Sequence, residues 1–211
     1  MRAALWATVL CMVCGFAAAA EMRSVEVEYE NKHYTMQSEA WFDAPIEQDN
    51  AVFRDWDLST QFSSAIVESR GLGPDENGLS QYYIRNRGCV LFFCLTFERY
   101  GYIESEPVSV LRAFADPETS DFLLCDEKWT FAEEDGGTTV VYDLSMRPKF
   151  WVPPGIGPYV IKRKLKNDGG DAIDRIEAIA QRMSMAGDAV SYTHLRAHET
   201  KTRISYSVER E

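Results

Sequence analysis

From Ile66 to Phe150 the chain is strand after strand: "IVESRGL", "LSQYYIRNRGCV", "LTFERYGYIES", "VSVLRAFAD", "DFLLCDEKWTFAEE" and "TTVVYDLSMRPKF". Reversals fall at "GPDENG" and "EDGG". Short β-prone runs punctuated by Gly, Pro, Asn and Asp fold as an antiparallel meander. A sheet of that kind has one apolar face, and another element must cover it. The following segment supplies the cover. Stepping 3.6 residues from Ile161 reaches Leu165, Gly169, Ala172, Ile176, Ile179 and Met183, an apolar stripe that stays in phase across Gly169-Gly170. One long helix is expected there, weakened by about 1 kcal/mol at each glycine. Gly169 falls on the inner face, where the missing side chain allows close backbone approach or leaves room for a ligand.

Ahead of the meander, "SVEVEYENKHYTMQSEAWFDAP" reads as two extended runs with a turn near Asn31-Lys32; Val25, Val27 and Tyr29 alternate with glutamates, the period of a half-buried strand. Pro45 then opens a helix, "PIEQDNAVFRDW", with Ile46, Val52, Phe53 and Trp56 inward. "DLSTQFSSA" reads as a second short helix capped by Asp57.

The first twenty residues have one early positive charge, an apolar run and small residues at Ala18 and Ala20, the plan of a secretory signal peptide removed after Ala20. A retained membrane anchor is the alternative, since the run is nearly long enough to span. The expected mature protein is secreted and periplasmic. Net charge is −11. That acidity argues against nucleic acid as a partner and limits membrane contact to a transient kind, the exception being the cluster Lys162-Arg163-Lys164-Lys166. Cys89, Cys94 and Cys125 remain after the signal. If "CVLFFC" is one continuous strand, its ends lie roughly 16 Å apart, too far for Cys89 to bridge Cys94. A bridge from either to Cys125 and buried free thiols both stay open.

The order strands, short helices, antiparallel strands and terminal helix resembles the START-like (SRPBCC) helix-grip superfamily, which includes polyketide cyclase/dehydratase and coenzyme Q-binding types. The segments that carry the resemblance are "SEAWFDAPIEQDNAVFRDWDLSTQFSSAIVESR", "CVLFFCLTFERYGYIESEP", "SDFLLCDEKWTF" and "MRPKFWVPPGIGPYVIKRKL", similar to a secreted bacterial branch, and it covers Ser24 to Met183. It implies an α+β fold: a curved antiparallel β-sheet wrapped around a long C-terminal helix, with two short helices after the first long strand and an apolar cavity between sheet and helix. The domain is expected over residues 21–189. A hydrophobic small molecule or lipid, such as an isoprenoid quinone, is the expected ligand, bound without catalysis. The alternative is a cyclase or dehydratase using Glu127 and a tyrosine for proton transfer.

Residues expected at the ligand are Tyr82, Phe97, Phe114, Glu127, Trp129 and Tyr142 from the sheet and Ile161, Leu165, Gly169 and Ile176 from the helix. Glu127 is the polar exception on the face made by Leu123, Cys125, Trp129 and Phe131. A carboxyl group there needs a partner, and Arg85, Arg87 or Arg112 is expected to supply it. Arg85 and Arg87 share one strand face, which suits either an anionic head group or the wet side of a sheet.

His194-x-x-x-His198 has the spacing of two zinc ligands on one helix face. It lies within Val190–Thr200, which resembles one translated frame of a sequencing adapter, so residues 190–211 are expected to be a foreign tail. No metal and no cofactor are expected. His33, the remaining histidine, is expected on an exposed turn, which leaves Ser-His-Asp and Cys-His mechanisms without a base.

Overall fold

The computed structural model describes residues 20–208 except 91, 92, 107 and 154, with side chains described as far as Met185. The signal-peptide expectation falls on residues 1–19, outside that range. So do the side chains of His194, His198 and Glu199.

The strands are β1 (Glu21–Glu30), β2 (His33–Phe42), β3 (Ile66–Pro74), β4 (Ser80–Val90), β5 (Phe93–Glu106), β6 (Val110–Ala115), β7 (Phe122–Glu134) and β8 (Gly137–Pro148). The helices are α1 (Ile46–Arg54), α2 (Ser59–Phe62) and α3 (Ile156–Val208), with a 3₁₀ turn at Trp56–Leu58. One antiparallel sheet has the order β1-β2-β8-β7-β6-β5-β4-β3. The meander from β3 to β8 is as the turn residues predict, and the β1–β2 hairpin closes back beside β8. The two short helices therefore follow a hairpin, and they carry the chain from β2 to the opposite edge at β3. Two hairpins use two-residue loops with both central residues at positive φ: Asn31 (52°) with Lys32 (65°), and Asp135 (51°) with Gly136 (83°). That geometry matches the twist of the strands it joins.

Alternation assigns the faces. On β2, Tyr34, Met36, Ser38, Ala40 and Phe42 are buried; on β6, Leu111, Ala113 and Ala115 are. Of these concave-side residues Ala40, Phe42 and Leu111 meet Ile173, Ile176, Ile179 and Ala180 of α3, with Ile46 and Val52 of α1 in the same cluster. The helix is continuous through Gly169-Gly170.

Several expectations need correction. "CVLFFC" is a hairpin, not one strand: Val90 pairs with Phe93 and Cys89 with Cys94, their Cα atoms 4.0 Å apart, and those two cysteines are bridged. Cys125 is a buried free thiol. Met183 is 41% exposed, because no core cluster continues past Ala180 among the described residues. A register shift between Phe122 and Leu124 turns Leu123 outward and puts Phe122 inside in its place. The capping carboxylate is Asp55, which accepts from the Asp57 backbone N–H at 3.1 Å, while α2 has no side-chain cap. His33 is half-buried at the start of β2, its Nε2 2.8 Å from Ser145 Oγ.

Asp49 of α1 is fully buried where α1 meets the sheet and α3, and neither carboxyl oxygen has a hydrogen-bond partner. Burial pushes its pKa up to about 7; the nearby Thr138 hydroxyl offsets part of the rise, and Glu177 of α3 adds to it. Thr138 also donates to the Ala44 carbonyl at 2.8 Å. A carboxyl group whose folded pKa is raised binds its proton more tightly in the native state. Its stabilising contribution is full below about pH 4 and is lost as pH rises through about 7. Asp49→Asn should therefore gain stability over the wild type as pH rises from 4 to 8, by on the order of 4 kcal/mol in total. Denaturant unfolding across that range measures it. A pH-independent difference between the two proteins would contradict a protonated Asp49.

Candidate functional site

A cavity of about 200 Å³ lies between the concave face, α1, α2 and α3. Its sheet wall is Met36, Ser38, Ala40 and Phe42 of β2, Ile84 of β4, Arg99 of β5, Glu127 and Trp129 of β7, and Val140 and Tyr142 of β8. Gly169, Ala172, Ile173 and Ile176 of α3 form the helix wall, and Phe53, Trp56 and Phe62 close the remaining side. The short helices are thus part of the enclosure, in addition to the expected sheet and long helix.

Aromatic packing shapes the interior. Trp129 stacks on Tyr142 with centroids 5.1 Å apart, and Phe53 meets Phe131 edge-on at 5.3 Å. Behind this layer Trp56 stacks on Tyr82 at 4.4 Å. The helix comes close at Gly169: a Cβ there would stand 3.3 Å from Met36 Cε and 3.8 Å from Met22 Cε. Both are ends of flexible side chains, so the glycine keeps space open without any hard backbone clash behind it.

The charged groups of this wall form one buried network. Arg99 Nη1 donates to Glu127 Oε2 at 2.5 Å, and the Tyr142 hydroxyl donates to Glu127 Oε1 at 2.7 Å. Arg99 and Glu127 are 9% and 7% exposed, so the ion pair is shielded from water. Burial is the largest influence on Arg99 and pulls its pKa down, but the Glu127 charge together with Cys125 and Tyr82 beside it holds it well above the ordinary value. Burial, and then the Glu127 charge and hydrogen bond, hold the Tyr142 hydroxyl well above the usual phenol range. Arg99 Nη1 also lies 3.5 Å from Cys125 Sγ, and burial pushes that thiol up to about 11. Among the described residues the Arg99 Nε–H has no hydrogen-bond partner. The site therefore combines an apolar hollow with a fixed cation whose donors are not all used.

Of the ten residues expected at the ligand, Glu127, Trp129, Tyr142, Gly169 and Ile176 line this cavity. Tyr82 is fully buried behind it under Trp56. Phe97 packs on Phe122 and Phe150 in a second cluster that also takes Leu165. Ile161 is half-buried, one turn before Leu165, outside the cavity wall. Phe114 is on the convex face, beside Tyr102 and beneath the Arg112 guanidinium, because the inward positions of β6 are Leu111, Ala113 and Ala115.

The partner of Glu127 also differs from expectation. Arg85 pairs with Glu68 and Arg112 with Asp126, both outside the cavity, and Arg87 is exposed. The same rule that placed Glu127 inward could have found Arg99: in "LTFERYGYIES" it shares a face with Phe97, Gly101 and Ile103.

No family model matches the chain, and no curated protein matches it. Solved structures do. A STAR-related lipid transfer protein from Xanthomonas axonopodis superposes with a TM-score of 0.58 at 13% identity, covering 78% of this chain and 99% of that one. The fold is the START-like helix-grip fold. Human STARD10 aligns at a TM-score of 0.56 and 8% identity over 78% of this chain and 76% of its own. The di-domain ARO/CYC BexL from the BE-7585A biosynthetic pathway aligns at 0.53 and 14% identity, covering 72% of this chain and 51% of that chain. In the helix-grip arrangement seen here, α3 is the gripped element and the Arg99–Glu127 pair is set in the sheet wall it faces.

Removing one member of a buried pair leaves the other charge uncompensated, at a cost of about 3–5 kcal/mol. Glu127→Gln should lose stability on that scale in urea denaturation. The double variant Arg99→Met, Glu127→Leu should recover most of the loss. Additive losses in the double variant would show that the two side chains do not form a buried pair.

Proposed function

We propose that this protein is an exported carrier that encloses a hydrophobic small molecule between the sheet and α3, with the ligand's polar end at Arg99. The observation that carries this reading is an apolar hollow whose wall, among the described residues, holds one buried cation, Arg99, with an unpartnered N–H. Lipid transfer is named for one structural neighbour of this fold, which agrees with the same class of ligand. The Cys89–Cys94 bridge agrees with export, since such bonds persist in oxidising compartments.

Size narrows the ligand. The cavity, about 200 Å³, is below the roughly 300–1,000 Å³ that encloses a whole drug-sized molecule. It suits a quinone-sized ring or a short stretch of chain, with any longer tail leaving between the helices. Apolar walls give affinity through buried area, and the Arg99 donor orients an acceptor such as a carbonyl oxygen.

A cyclase or dehydratase reading draws on one observation, that Tyr142 and Glu127 are within hydrogen-bond reach inside the cavity. Both carboxyl oxygens of Glu127 are already engaged, one by Arg99 and one by Tyr142. A group acting on a substrate proton needs an oxygen turned toward that proton. The carrier reading is therefore the stronger one.

Menadione, a two-ring quinone, tests it through quenching of the cavity tryptophans Trp56 and Trp129. At about 0.5 kcal/mol per heavy atom, saturable binding is expected with a Kd of roughly tens of micromolar. Gly169→Leu fills the hollow against flexible methionines, so it should keep the fold and weaken binding at least tenfold. Absence of saturable quenching, or equal binding by a folded Gly169→Leu variant, would sink the cavity reading.

A further inference from the structure

The start of α3 carries a second feature, separate from the cavity. Trp151 is 74% exposed and Tyr159 65%, unusual for side chains with so much apolar area in water. They are held there by a fixed turn. The Gly157 N–H donates to the Pro153 carbonyl at 2.9 Å, Gly155 adopts φ 82°, and a Cβ on Gly157 would stand 2.3 Å from Val152 Cγ1. Val152 thus packs against the first turn of the helix while Trp151 faces water.

Three residues after Tyr159 begins Lys162-Arg163-Lys164-Leu165-Lys166, and no carboxylate occurs between Trp151 and Lys166. At about 100° per residue Tyr159, Lys162, Arg163 and Lys166 fall within one arc on the flank of the helix, roughly a quarter-turn from the centre of the stripe Leu165, Gly169, Ala172 and Ile176 that turns toward the sheet; Arg163 and Lys166 are exposed and Lys162 is half-buried. Lys164 lies off that face and pairs with Asp168 at 2.6 Å. Among the described residues Lys162, Arg163 and Lys166 make no ion pair. The convex side of the sheet has the opposite balance: a depression there is lined by Glu26, Glu28, Asp126 and Asp143 against Arg112 and Lys128, with Arg112 paired to Asp126. A chain of net charge −11 therefore presents one cationic stripe, bordered by two exposed aromatics.

We propose that this face of α3 docks on a bilayer surface rich in anionic lipid. Lysine and arginine meet the headgroup charge, and Trp151 and Tyr159 enter the interfacial layer where amphipathic rings are favoured. A nucleic acid or an acidic protein would satisfy the cations alone; the aromatics select a surface with an apolar layer beneath its charge. The acidic convex face would be repelled by such a surface, which fixes the orientation. Gly169 lies three residues past Lys166, about 4.5 Å along the axis, so docking brings the cavity's helix wall close to the lipid. The proposal does not depend on what the cavity holds.

Co-sedimentation with vesicles tests it, using phosphatidylcholine alone and phosphatidylcholine with 30% phosphatidylglycerol. Binding is expected to the anionic vesicles in 50 mM salt, to fall at least tenfold in 500 mM salt, and to be weak on neutral vesicles at both. Lys162→Glu with Arg163→Glu and Lys166→Glu should abolish it. Trp151→Ala with Tyr159→Ala should weaken it at least tenfold and leave the remainder more salt-sensitive. Unchanged menadione binding and circular dichroism report that each variant is folded. Failure of the wild type to bind anionic vesicles, equal binding to neutral ones, or undiminished binding by a folded charge-reversed variant would overturn the proposal.

Discussion

The structure depends on a mismatch of widths. Eight strands at about 4.8 Å spacing make a sheet roughly 34 Å across, and a helix covers only about 10 Å of it. The apolar concave face must still be removed from water. Curvature brings its edges round α3, and α1, the 3₁₀ turn and α2 cover part of what remains. What neither covers is the cavity. Its helix wall is Gly169, Ala172, Ile173 and Ile176, and the absent side chain at Gly169 leaves space beside Met36 and Met22.

Into that dry interior the chain places an ion pair, which is not a general way to gain stability. A well-packed apolar substitute for Arg99 and Glu127 would serve the fold as well. Keeping two charges there, tied to a tyrosine hydroxyl and leaving one guanidinium N–H unused, gives the cavity a polar end and so a direction. Asp49 is the contrasting case at the other side of the core. Among the described residues it has no ion-pair or hydrogen-bond partner, and it is best accommodated with its proton on.

Much of this was legible in the sequence, since it rests on period and punctuation. Strand alternation, the two-residue turns and the 3.6-residue stripe of α3 gave the order of elements and half of the expected cavity residues. The errors lie where a local event shifts the period. A hairpin inside "CVLFFC" brings together two cysteines that a continuous strand would separate, and the shift at Phe122 to Leu124 exchanges which residue is inside. Phe97 and Leu165 have inward side chains but sit in a neighbouring cluster, a distinction set by tertiary depth. Phe114 was misplaced by chemistry alone, as its own strand's alternation puts it outside. Arg99 was readable but was passed over, because an arginine is expected in water until its strand neighbours are counted.

The carrier function requires that the space between sheet and α3 be empty of protein, apolar and able to take a guest. Xenon enters dry apolar cavities of this scale. A crystal of the protein under xenon pressure should show an ordered atom bounded by Trp129, Val140, Gly169 and Ile173. Crystals of the same quality with no xenon there, and with Met22 and Met36 folded into the space, would contradict it.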